Sequence, residues 1–165
     1  MRGERNMGPD MCVPCGEGVV NLRVGAVIVR DGKLLMVGND RSDYLYSVGG
    51  RIKIGETAEE AVVREVREET GVEMPVKRLA FVHENYFYGD TPPNVGKLIY
   101  EISFYFLMDV PADFEPAEQG FAEDGSPEYL RWVEPDTPQT IYPSFFRTEA
   151  MNPSPGVRHS VNDER

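Results

Sequence analysis

The chain reads as an α/β (α+β) domain, and three observations say so. Apolar segments of strand length recur on both sides of residues 58–70. Residues 58–70 themselves carry the signals of one helix of roughly four turns. The composition is ordinary globular usage, with 41% hydrophobic and 27% charged residues in a chain of 165. That length suits one domain with a sizeable core.

Taken in order, Val19 to Val29 mixes alternating and continuous apolar residues and reads as a strand. Asp31-Gly32 signals a hairpin, and Lys33 to Val37 returns. Tyr44 to Val48 is a short strand that delivers Gly49 and Gly50. In the helix that follows, Thr57 and Glu60 form a capping-box pattern, and Gly71-Val72 suits a left-handed C-cap with a hydrophobic contact. Val76 to Tyr88 is a long strand, Gly89 to Gly96 a loop by its Pro and Gly content, and Lys97 to Val110 an apolar, aromatic strand. Pro111 to Pro127 is an acidic loop, and Glu128 to Val133 a last strand containing Trp132. Ser144 to Met151, after Pro143, is expected to be a second helix. The organisation expected is a flexible N-terminal arm over 1–18, a domain over 19–151 and a polar, loosely held tail over 152–165. No repeat or linker interrupts it.

Seventeen basic and 28 acidic residues give a formal charge of −11. That balance argues against a nucleic-acid backbone or an anionic membrane as partner. No apolar run has the length of a membrane span, and Met1 to Asp10 lacks the apolar core of a signal peptide. A cytoplasmic location is the expectation. Cys12-Val13-Pro14-Cys15 is half of a four-ligand zinc pattern without a second half, and His83 and His159 lie far off in sequence. The pair is read as ordinary reduced thiols, and zinc at Cys12 and Cys15 is not expected.

The chemistry concentrates between Gly50 and Val72 (GRIKIGETAEEAVVREVREETGV), where Glu56, Glu59, Glu60, Glu65, Glu68 and Glu69 fall on or just before one helix. At about 100° per residue, Ala58, Val62 and Val66 form one stripe. Glu69 lies inside that stripe, Glu65 beside it and Glu68 a little further round. Arg67, Glu60 and Arg64 fall on or near the opposite side. A carboxylate on the core side is costly unless it is paired or binds a metal. The competing reading is a solvated helix with exchangeable pairs such as Arg64 with Glu68.

The spacing of Gly50, Glu56, Arg64-Glu65, Val66, Glu68-Glu69, Gly71 and Val72 resembles the Nudix box, GX5EX7REUXEEXGU with U aliphatic, at every specified position. Val48 stands where the family usually has proline. The resemblance covers about residues 20 to 145. It implies a Nudix-type α/β/α sandwich with a mixed β-sheet. It also implies a metal-dependent pyrophosphohydrolase, in which activated water cleaves the diphosphate linkage of a nucleoside triphosphate, ADP-ribose or a similar nucleoside diphosphate derivative. Mg²⁺ is the expected metal, with Mn²⁺ as a substitute. The box positions that match metal ligands are Glu65, Glu68 and Glu69, assisted by Glu56 and by a backbone carbonyl at Gly49, with Gly50 beside it. Glu65 also matches a candidate base, and Arg64 a residue that orients a box glutamate. An additional carboxylate is expected from the acidic loop. Glu118 is preferred there over Glu123, Asp124 and Glu128.

For substrate binding, Arg51 and Lys53 in the box loop, with Arg41 nearby, are candidate phosphate contacts. Tyr46 is a candidate for stacking a base, as are Tyr44, Phe81, Tyr86, Phe87 and Tyr88. Strand aromatics also serve the core. His83 is either a substrate contact or an ordinary hydrogen-bonded strand histidine. The partner expected is a small nucleotide-type diphosphate, and a homodimer is possible by analogy with relatives. Two other classes stay open. One is a catalytically silent Nudix-fold module that binds nucleotide. The other is an isoprenoid diphosphate isomerase, which needs a cysteine at the site, whereas Cys12 and Cys15 precede the first strand.

Overall fold

The computed structural model describes residues 8–40, 42–90, 92–116, 120–121, 125 and 127–165. The strands are β1 (Cys12–Cys15), β2 (Gly18–Val27), β3 (Val29–Arg30), β4 (Lys33–Asn39), β5 (Tyr44–Ser47), β6 (Gly49–Arg51), β7 (Val76–Tyr88), β8 (Leu98–Met108), β9 (Gly120–Phe121), β10 (Pro127–Val133), β11 (Thr140–Tyr142) and β12 (Arg158–Asp163). The helices are α1 (Ala58–Thr70) and α2 (Phe146–Glu149).

One sheet runs β1-β2-β8-β7-β12, with β6 also on β2; the other runs β11-β5-β4-β10-β9, with β3 on β4. Both are mixed. β2 with β8 and β7 with β12 are parallel, while β7 with β8 is antiparallel. In the second sheet, among the described residues, only β11 with β5 is parallel. Backbone bonds from Ala26 N to Val48 O (2.8 Å) and from Leu35 N to Ile28 O (3.0 Å) tie the two sheets together.

The period of two in the strands decides which helix each face receives. From β2 and β4, Val24, Ala26, Leu35 and Val37 pack with Ala61, Val62 and Val66 of α1. Their neighbours Val27, Leu34 and Met36 point the other way, into a cluster with Phe146 of α2 and with Phe81 and Tyr105. The strands therefore lie between the two helices, as expected of an α/β/α arrangement.

Helix α1 begins and ends where its sequence signals place it. Thr57 Oγ1 accepts from Glu60 N at 3.1 Å and the Glu60 carboxylate accepts from Thr57 N at 2.9 Å, completing the capping box. Gly71 takes φ 76° and its N–H closes on Arg67 O at 2.9 Å.

Three sequence expectations differ from the structure. The second helix is one turn, Phe146–Glu149, not Ser144 to Met151. Its phenylalanines are held by ring contacts: Phe145 to Phe81 at 4.9 Å and Phe146 to Tyr105 at 5.2 Å. Arg147 meanwhile donates to the carbonyls of Pro135, Thr137 and Gln139, which ties the turn to the preceding loop. The N-terminal arm carries β1, which returns on β2 with Cys12 opposite Asn21 and Cys15 opposite Gly18. Both cysteines are free thiols. The segment expected as a loose tail carries β12, paired with β7 over six residues. Among the described residues no helix is long and apolar enough to cross a membrane.

Candidate active site

β6 and α1 build the site together. β6 pairs antiparallel with β2, placing Gly49 opposite Gly25, Gly50 opposite Val24 and Arg51 opposite Arg23. A Cβ on Gly49 would stand 2.2 Å from Val24 O, and Gly49 has φ 149°, a conformation that glycine alone enters freely. A Cβ on Gly50 would lie 2.5 Å from the Glu65 carboxylate. The two glycines thus let the glutamate face of α1 close against the strand.

Arg64 gathers the carboxylates. It grips Glu56 at both oxygens (2.7 and 3.0 Å), reaches Glu65 Oε1 at 2.6 Å and Glu68 Oε2 at 3.2 Å, and donates to Arg51 O at 3.0 Å. Glu56 is also fixed by Lys53 N at 2.7 Å and has a side chain only 1% exposed. These bonds to Glu56 and Glu65 raise the Arg64 pKa above its already high value despite the opposing effect of burial. Arg64 is therefore a cation held among Glu56, Glu65 and Glu68.

Glu69 behaves differently. Burial pushes its carboxyl up to about 8, against a partly compensating bond from Gly49 N at 3.0 Å. Its second oxygen, Oε2, is buried with no hydrogen-bond partner among the described residues. Burial also raises Glu65, against the pull of Arg64. Among the described residues, no group of three or more His, Cys, Asp and Glu side chains stands ready to hold a metal ion. The geometry says why: Arg64 draws Glu56, Glu65 and Glu68 to itself, while Glu69 turns to Gly49. The donor set nonetheless fits a hard divalent cation. It is all oxygen, crowded and anionic, and Glu69 Oε2 is a buried acceptor in need of a positive partner.

Of the carboxylates expected from the acidic loop, Glu118, Glu123 and Asp124 lie outside the described residues, as does Arg41 near the glycine turn. Glu128, at the start of β10, accepts a short hydrogen bond from Tyr46 Oη, and its charge adds to the upward pressure on Glu69. Burial and this bond together push the Tyr46 phenol well above its usual range.

A cavity of about 540 Å³ adjoins this end of β2 and is lined by Arg23, Tyr44, Tyr46, His83, Asn85 and Tyr142 among others. Tyr46 and His83 therefore share this cavity with Arg23. His83 bonds Ser160 through Nδ1 at 2.8 Å, and burial lowers its pKa, which favours the neutral ring. Arg51 and Lys53 are not among the lining residues. Arg51 turns toward Asp10 at 3.5 Å, and Lys53 bridges Asp10 through the backbone. Both serve the site by main chain instead: Arg51 O receives Arg64, and Lys53 N holds Glu56.

Sequence reasoning missed Arg23 and Glu101. Arg23 approaches Glu101 at 3.8 Å, and its charge weakly opposes the burial that raises Glu65 and Glu69. The available signal was the pair of polar residues Asn21 and Arg23 on one face of an apolar strand, with Asn21 buried and donating to Glu101 at 2.7 Å.

Two mixed sheets thus lie between helices, with a glycine strand facing a glutamate helix. The NUDIX domain model matches residues 20–148, and the chain belongs to the Nudix hydrolase family. It is similar to an ADP-ribose pyrophosphatase of Methanocaldococcus jannaschii, 34% identical over 90 residues, 53% of this chain and 49% of that one. The chain thus aligns with about half the length of that curated relative. It is also similar to the crystal structure of a MutT NUDIX hydrolase from Burkholderia pseudomallei (26% identity, TM-score 0.54, 76% of this chain and 92% of that one). A MutT protein from Bacillus halodurans shares the fold at 19% identity and TM-score 0.62, covering 88% and 93%.

Proposed function

We propose that this protein is a metal-dependent pyrophosphohydrolase that cleaves the diphosphate linkage of a nucleoside diphosphate derivative, with ADP-ribose the first substrate to try. The observation that carries the reading is the buried oxygen of Glu69, partnerless among the described residues, inside a carboxylate cluster bound by Arg64. The similarity to an ADP-ribose pyrophosphatase supports the substrate class.

In this reading Glu65, Glu68 and Glu69 would hold Mg²⁺ or Mn²⁺, with Glu56 and the Gly49 carbonyl assisting. A bound cation supplies neutralisation of the phosphate charge and lowers the pKa of water. The chain supplies the rest. Arg64 keeps one oxygen each of Glu65 and Glu68 and so sets how the other oxygen points. Gly49 N fixes Glu69 in the same way. Water oxygen bonds to phosphorus as the bridging P–O bond breaks, and the proton passes to a carboxylate. Glu65 suits that acceptance, because burial has already raised its affinity for a proton. Arg23 at the cavity's near end would meet the departing phosphate.

The net charge of −11 requires local reversal of the field before an anionic substrate can approach. A panel of ADP-ribose, nucleoside triphosphates, dinucleotides and nucleotide sugars, each with Mg²⁺, Mn²⁺ or EDTA, tests the proposal. Metal-dependent cleavage of one class is the expected result. Binding without turnover of any of them would instead support a silent nucleotide-binding module.

A further inference from the structure

The family match ends at residue 148, yet the cavity does not. Register across the first sheet aligns two polar rows on one face. The first is Arg23, Ser103, His83 and Ser160; the second is Asn21, Glu101, Asn85 and Asn162. Each row passes through β2, β8, β7 and β12 in turn. The two polar rows lie between the apolar rows of Val19 with Ile99 and of Tyr105 with Phe81, and where they line the cavity their side chains offer hydrogen bonds. Arg23, Glu101, His83, Asn85, Asn162 and Glu164 from these rows and their edge all line the cavity.

The order of strands gives the rows a direction. β2 lies beside β6 and the glutamates, whereas β12 lies three strands away, roughly 14 Å at about 4.8 Å per strand. A substrate whose diphosphate sits at the glutamates and Arg23 would extend along the rows toward β12.

The far end is built rather than incidental. Asn162 Nδ2 bonds Asn85 Oδ1 at 2.8 Å and Glu164 Oε1 at 3.1 Å, Ser160 bonds His83, and Glu164 N bonds Tyr86 O at 3.0 Å. On the opposite face His159 meets Glu84 at 2.6 Å, and the Arg165 guanidinium lies 4.1 Å from the Tyr86 ring centre. These contacts lock β12 in register. The charged group at this end is a carboxylate, which repels phosphate and accepts from hydroxyl or N–H groups.

We infer that β12 and the adjoining Glu164, beyond the segment that the family model matches, form the wall that reads the uncharged, hydrogen-bond-donating end of the substrate, through Asn162 and Glu164. The inference rests on the hydrolase reading for which end of the substrate is reactive. Its ligand chemistry is a ribose or a nucleobase edge.

Calorimetry with ADP and with ribose 5-phosphate, in Mg²⁺, compares the wild type with Asn162→Ala and Glu164→Ala, after circular dichroism and melting establish that each is folded. The expected result is a loss of affinity of about tenfold for at least one probe, the scale of one net hydrogen bond. Weakening of both probes assigns the contact to the sugar; weakening of ADP alone assigns it to the base. Should Asn162→Ala not fold, the isosteric Asn162→Asp reads the same contact. In turnover of ADP-ribose, KM should rise far more than kcat falls. Equal affinities in all three proteins, or no binding of either probe by the wild type, overturn the inference. If the wild type binds ADP but cleaves no nucleotide, the hydrolase reading fails, and the calorimetric comparison still decides the role of β12.

Discussion

Arg64 carries more of the site than any single glutamate. Its side chain is 11% exposed and is shared among Glu56, Glu65 and Glu68. Arg64→Ala leaves Glu56 buried with an unpaired charge, so it should cost about 3–5 kcal/mol in urea denaturation. It should also lower turnover by about 10- to 100-fold, as loss of an orienting partner does. A stability loss with unchanged kcat would reduce Arg64 to scaffolding. Gly50→Ala is a milder probe, because the atoms nearest the added Cβ all belong to the Glu65 carboxylate, the end of a flexible side chain. It should lower turnover with less effect on stability than Arg64→Ala, as judged by kcat beside the melting temperature.

Glu69 makes a pH prediction for the metal-free protein. Its folded pKa is about 8 and its ordinary value 4.5, so between these limits the folded state holds more proton than the unfolded one. Stability in EDTA should therefore be greatest near the lower limit and fall as pH rises toward 8, by up to about 1.4 kcal/mol per pH unit from this group. Glu69→Gln removes that slope. Parallel pH profiles for the two proteins in urea denaturation would show that Glu69 is not a buried, protonating group. The position of Glu69 inside the apolar stripe was legible from helical spacing alone. Arg23 was only half legible: the polar Asn21 and Arg23 mark one face of β2, but their partner Glu101 comes from the distant β8, and no local pattern records that pairing.

Among the elements, α1 was the most legible. Its limits are set by local chemistry, namely the Thr57–Glu60 box and the left-handed Gly71, and local chemistry is what a sequence displays. Thr57→Ala should cost about 1 kcal/mol, read from the urea midpoint. The strand β12 was illegible for the converse reason. Arg158-His159-Ser160-Val161-Asn162-Asp163 has no apolar alternation, and its order comes from pairing with β7 and from cross-strand polar bonds. The same holds for α2, where tertiary ring contacts and the Arg147 bonds, not helical propensity, decide one turn over two.

At the scale of the whole molecule, the two helices receive opposite faces of the strands. The glutamate helix is thereby pinned against β6 while the cavity opens along β2, β8, β7 and β12. The class of fold followed from the order of strands and helices together with the family resemblance, and the box marks the helix on which the proposed chemistry rests. The division of the strands into two joined sheets was not foreseeable, since it depends on which strand edges meet. The central claim is that Glu69 and its neighbours form a divalent-metal site for phosphoanhydride hydrolysis. The most direct measurement is turnover of ADP-ribose in Mg²⁺ by the wild type and by Glu69→Gln, with EDTA as the control. The account predicts metal-dependent turnover by the wild type and a loss of about a hundredfold or more in a folded Glu69→Gln. Near-normal turnover by Glu69→Gln, or turnover by the wild type that survives EDTA, would contradict it.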